Sequence, residues 1–102
     1  MKLEKVVKSD AKGKKFTAIF CMCKGESNCC TKDKKKVHFG SEGMDDYTIG
    51  ATEKQRKSYL ARHASGKTAK PDTPDALSYN ILWGNSTSRQ TNINTFKKKY
   101  NL

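Results

Sequence analysis

The sequence predicts a small α+β domain: a β-hairpin near the N-terminus followed by two or three short helices. Three observations carry this. Phe16-Thr-Ala-Ile-Phe-Cys21 and Lys36-Val-His-Phe39 alternate in the two-residue period of strands. Two helix starts are marked, by Thr52 with Gln55 and by Thr73 with Pro74. A third apolar stripe, Ile93, Phe96 and Tyr100, repeats at helical spacing.

Residues 1–15 are polar and Lys-rich and read as a basic N-terminal arm. Residues 16–102 form the expected single domain. Its hairpin spans 16–40, with Phe16, Ala18 and Phe20 on one face of the first strand and Val37 and Phe39 on one face of the second. Lys24-Gly-Glu-Ser-Asn28 has turn chemistry and makes the tip long. A glycine-punctuated loop leads to a helix over about 53–64. Thr52 is its N-cap, Glu53 sits where the dipole favours an acid, and Ser65-Gly66 is its stop. The second helix covers 74–83, with Leu77, Ile81 and Leu82 as its apolar stripe and Gly84 as terminator. The third covers 88–100, starting at Thr87 or Ser88, and Thr87 with Gln90 fits a capping box. Tyr59, Trp83, Phe96 and Tyr100 fall on apolar helix faces and read as core rather than as stacking platforms.

Charge is the strongest functional signal. The 102 residues hold 21 Lys+Arg against 10 Asp+Glu, a net charge of +11. Eleven lysines and four acids fall before Phe39, so the N-terminal third carries most of the excess. Such a balance attracts polyanions: nucleic acid, anionic lipid or acidic protein faces. Lys rather than Arg dominates, which favours charge-driven contact over sequence reading. The residues assigned to this contact are Lys12, Lys14, Lys15, Lys34, Lys35, Lys36, Arg56, Arg62, Lys97, Lys98 and Lys99. A short, polar chain buries a modest core, and no catalytic site is expected. The start, Lys2-Leu-Glu-Lys-Val-Val-Lys8, lacks the apolar run of a signal peptide, and no stretch is long enough to span a membrane.

Other groups are weaker. Cys21, Cys23, Cys29 and Cys30 could hold zinc, form a disulfide across the hairpin, or remain free thiols on a variable loop, the blandest reading. Their spacing is not that of a zinc knuckle, nor is it the Cys-x-x-Cys of a thiol oxidoreductase. His38 and His63 are expected to pack or hydrogen-bond, because no nucleophile–base–orienter set accompanies them. Asp45 and Asp46 are too few oxygens for calcium, and Asp46 is expected to cap a turn or pair with a Lys. Ser65-Gly-Lys-Thr68 lacks the first glycine and the preceding strand of a phosphate-binding loop. No metal or other cofactor is expected.

Four segments carry a resemblance: Lys5-Val-Val-Lys-Ser-Asp-Ala-Lys-Gly-Lys-Lys-Phe16, Lys36-Val-His-Phe-Gly-Ser-Glu-Gly-Met-Asp-Asp-Tyr-Thr48, Lys57-Ser-Tyr-Leu-Ala-Arg-His63 and Ala76-Leu-Ser-Tyr-Asn-Ile-Leu-Trp83. In this order they resemble a family of short basic proteins of unknown function encoded by giant nucleocytoplasmic large DNA viruses, including viruses of algae. The resemblance spans nearly the whole chain, and the cysteine-bearing tip departs from it. It implies a structural virion component, a minor protein of an icosahedral capsid, made in the host cytoplasm. Its implied partners are the major capsid protein and other minor capsid proteins, with DNA or the inner membrane surface as further acidic neighbours. The alternative is non-sequence-specific nucleic-acid binding in the same type of virus.

Overall fold

A computed structural model describes residues 1–21 and 34–102. Strands β1 (Lys2–Lys8), β2 (Lys14–Cys21) and β3 (Lys34–Ser41) form one antiparallel sheet in the order β1-β2-β3. A one-turn 3-10 helix, Tyr47–Ile49, precedes helix α1 (Glu53–Arg62), and a second, Ala64–Lys67, follows it. Helix α2 (Pro74–Leu77) continues as a π-helical turn over Ser78–Leu82, and α3 (Arg89–Tyr100) ends the chain. The α+β expectation holds, with the sheet enlarged by one strand.

That extra strand corrects the expected arm. Lys2–Lys8 pairs with β2 from Lys2 opposite Cys21 to Lys8 opposite Phe16, with a bulge between Leu3 and Lys5. The bulge lets Leu3 and Val6 both turn toward the helices although three positions separate them. Leu3 becomes core and Val6 packs against it. Gly13 takes φ +82° in the connecting turn, a left-handed conformation that suits glycine.

The core lies between one sheet face and the C-terminal helices. Phe20, Ala18, Val37 and Phe39 meet Leu77, Ile81, Leu82 and Phe96. At the sheet's end Gly40 has φ +78°, and a Cβ there would lie 2.9 Å from Leu82 Cδ1. That glycine lets the π-helical turn approach β3 closely.

The helix starts follow their caps. Thr52 accepts from Gln55 N while Gln55 Oε1 accepts from Thr52 N, a complete capping box. Thr73 accepts from Ala76 N, and Pro74 occupies the first turn. The α3 cap is Ser88, which accepts from Thr91 N, rather than Thr87 with Gln90. Asn101, in the left-handed region at φ 54°, closes that helix.

Two helices differ from expectation: residues 74–83 are α-helical only over Pro74–Leu77, with the π-helical turn completing them to Leu82, and the helix over 53–64 is shorter. Residues 53–64 are helical only to Arg62, and α1 buries no residue. It is held by ring stacking of Tyr59 on Trp83 (4.5 Å) and by Arg56. Buried Asn92 organises α3: its Nδ2 donates to Ile81 O and Ser86 O, and its Oδ1 accepts from Ser86 N. Among the described residues, no helix is long and apolar enough to cross a membrane.

Candidate polyanion-binding face

The helices cover one face of the sheet, and the strand register dictates the other. Lys2, Cys21 and Lys34 form one cross-strand row, Lys5, Ile19 and Lys36 the next, and Val7, Thr17 and His38 the third. Neighbouring strands are about 4.8 Å apart, so the β1 and β3 lysines stand in two columns roughly 10 Å apart, with rows about 6.7 Å apart. Lys2, Lys5, Lys34 and Lys36 are all exposed. They form a four-cornered cationic platform flanking Cys21 and the nearly buried Ile19. Glu4, displaced by the bulge, offsets one corner through an ion pair with Lys34 at 3.0 Å. Lys5 and Lys36 have no ion-pair partner among the described residues.

The assigned basic residues separate into distinct environments. Lys34 and Lys36 lie on the platform, whereas Lys35 points to the helix side and pairs with Asp72 at 2.8 Å. The donated hydrogen bond from Lys35 holds the Asp72 carboxyl below its ordinary range. Lys15 is also withdrawn. Its Nζ lies 2.7 Å from Asp46 Oδ2, with the side chains only 12% and 2% exposed. Asp46 further accepts from Thr48 N and Thr48 Oγ1, so it both caps a turn and pairs with a lysine.

Arg56 is structural. Its Nε donates to Gly84 O (2.8 Å) and Trp83 O (3.2 Å), and its Nη2 donates to Asn85 Oδ1 (2.7 Å). Arg62 is exposed at the end of α1 and donates to Ser58 O. Lys97 borders a groove between α3 and β1, Lys98 is exposed, and Lys99 reaches Asn80 Oδ1 at 3.3 Å. Lys12 and Lys14 are exposed near the β1–β2 turn. The platform members outside the assignment, Lys2 and Lys5, follow from β1 being a strand. Their spacing across the Glu4 bulge was the only local trace.

The third row holds a hydroxyl–imidazole cluster. Thr17 Oγ1 lies 2.7 Å from His38 Nδ1 and 2.9 Å from Ser9 Oγ, which itself accepts from Ala11 N. The partners of His38 are hydroxyls, and no carboxylate orients the ring among its hydrogen bonds. The cluster ties the β1–β2 turn to both neighbouring strands. His63 stacks on Tyr59 at 4.2 Å. Both histidines therefore pack or hydrogen-bond.

Among the described residues, no group of three or more His, Cys, Asp or Glu side chains converges. Cys21 is fully buried and disulfide-bonded, with Sγ 3.7 Å from Glu4 Oε2. Cys23, Cys29 and Cys30, the rest of the expected disulfide or metal set, lie outside the described residues.

A protein family of unknown function, DUF5754, matches residues 4–63, more than half of the chain. The chain belongs to the DUF5754 family. The matched span begins at the Glu4 bulge and contains the rest of the sheet and all of α1, and so three of the four platform lysines. An uncharacterized protein of Acanthamoeba polyphaga mimivirus is 38% identical over 87 residues, covering 78% of this chain and 79% of that protein. The similarity to giant-virus proteins thus holds at the level of the family. No solved structure matches.

Proposed function

We propose that this DUF5754 protein is a structural virion component of a large icosahedral double-stranded DNA virus, a minor capsid protein. It docks acidic patches of the major capsid protein and of neighbouring minor proteins. It works by binding, without a catalytic step. The observation that carries this reading is the lysine platform. Four lysines stand on the sheet face opposite the helices, and Lys5 and Lys36 lack internal ion-pair partners among the described residues. A cationic sheet face suits an acidic protein surface, because strand register sets the backbone spacing of the lysines and their flexible stems let the ammonium groups adapt to the partner. The mimivirus relative supports a giant-virus setting.

The test is retention of the protein on purified major capsid protein, run beside duplex DNA binding across a salt series. Retention at physiological salt with DNA binding lost supports the capsid reading. Strong duplex binding at that salt, with log K falling steeply against log salt and no capsid retention, replaces it with non-specific DNA binding.

A further inference from the structure

A second basic site lies on the helix side of the sheet. An open pocket of about 420 Å³ is bordered by Lys8, Lys14, Lys15, Phe16, Glu42 and Arg89. Lys8 stands directly opposite Phe16 in the register, and Lys14 shares that face two positions earlier. Arg89, the first residue of α3, lays its guanidinium over the Phe16 ring at 4.3 Å.

Two features here are electrostatically unfavourable. Lys15 is neutralised by Asp46, but Lys8, Lys14 and Arg89 enter no ion pair among the described residues. Three like charges therefore converge on one pocket, and only Glu42 opposes them. Arg89 also sits at the positive end of the α3 dipole, where a cation is disfavoured, and the first turn of α3 contains no acid. The cation–π contact with Phe16 partly offsets this. No hydrogen bond or ion pair among the described residues takes up the guanidinium N–H donors. A guanidinium and two lysines without ion-pair partners around one pocket match the double charge of a phosphate group better than a single carboxylate.

We propose that this pocket binds a phosphate-bearing nucleotide unit, either a free nucleotide or the 5′-phosphorylated end of a nucleic-acid strand. Arg89, Lys8 and Lys14 hold the phosphate. Glu42 accepts from sugar hydroxyls, and Val6 with the rim of Phe16 borders the organic part. The pocket volume is in the range of small-ligand sites. This site is separate from the lysine platform, on the other side of the sheet.

The test is calorimetric titration of the full chain with ATP, with adenosine, and with short oligonucleotides bearing either a 5′-phosphate or a 5′-hydroxyl. ATP or the 5′-phosphorylated strand is expected to saturate one site, and adenosine to give no heat. The tighter of the two phosphate-bearing ligands identifies the source. Arg89→Gln and, separately, Lys14→Gln are expected to weaken binding about tenfold, the loss of one charge-assisted contact. Lys5→Gln/Lys36→Gln on the platform is expected to leave it unchanged. Circular dichroism of each variant confirms that the fold is retained. No saturable binding of any phosphate-bearing ligand overturns the proposal. So does equal weakening by the pocket and platform variants, which marks general charge attraction.

Discussion

Replacing Arg56 by Ala tests how α1 is attached. The helix buries no residue, so its anchorage falls to the Tyr59–Trp83 stack and to the Arg56 guanidinium. That group makes two strong contacts, to Gly84 O at 2.8 Å and Asn85 Oδ1 at 2.7 Å, and a weaker one to Trp83 O, with 15% of its side chain exposed. Hydrogen bonds from a charged donor contribute about 1.5–3 kcal/mol each, and hydration of the freed carbonyls recovers part of this. The expected net loss is about 2–3 kcal/mol. For a domain of this size that lowers the melting temperature by roughly 10–20 °C. The ion pair with exposed Glu53 adds little, because such pairs are screened. Thermal unfolding by circular dichroism reads the loss, and amide exchange localises it to α1. Arg56→Lys keeps the charge but not the fork and is expected to recover only part of the loss. A melting temperature equal to the parent's in Arg56→Ala refutes this account of α1.

Asp46→Ala leaves Lys15 buried without its partner and opens the Thr48 turn; a loss of about 3–5 kcal/mol is expected in chemical denaturation. In Gly84→Ala the new Cβ would clash with Asn80 O and stand 2.6 Å from Asn92 Cγ, so a lowered melting temperature is expected, with weakened protection around Ser86. The Asp72 and Glu53 carboxyls are held below their ordinary range, by hydrogen bonds from Lys35 and Tyr47 respectively. Their contribution is present above the unfolded carboxylate range, near pH 4, and is lost as pH falls through the folded values. A urea midpoint that declines into that acid window is the expected result. Burial raises the Tyr59 phenol, with the Asp75 charge adding to it, so its contribution holds below about pH 10 and fades above. Tyr59→Phe is expected to flatten the alkaline decline.

Local features of the fold were legible and long-range ones were not. The Thr52–Gln55 and Thr73–Pro74 starts involve neighbours in sequence, so their chemistry is readable from residue order. Strand β1 was missed because Lys2, Glu4, Lys5 and Lys8 make it look solvated, and the Glu4 bulge breaks the two-residue alternation. Its pairing with β2 overrides that local polarity. The same effect hid the candidate site. Lys34-Lys35-Lys36 reads as one basic run, but strand alternation sends Lys35 to Asp72 and leaves Lys34 and Lys36 on the platform. Arg56 was read as a surface cation because Trp83, Gly84 and Asn85, which occupy it, are distant in sequence. Asn92 fell inside an apolar stripe and gave no signal of its own, although it pins residues 81–86 to α3.

The most direct test of platform docking is retention of the parent protein and of Lys5→Gln/Lys36→Gln on purified major capsid protein across a salt series. Both lysines are exposed and free of ion pairs among the described residues, so the double variant is expected to fold as the parent does. Retention that falls with salt in the parent, and is weakened at every salt concentration in the variant, is the expected result. Equal retention of parent and variant, or no retention of the parent at physiological salt, would contradict docking through this face.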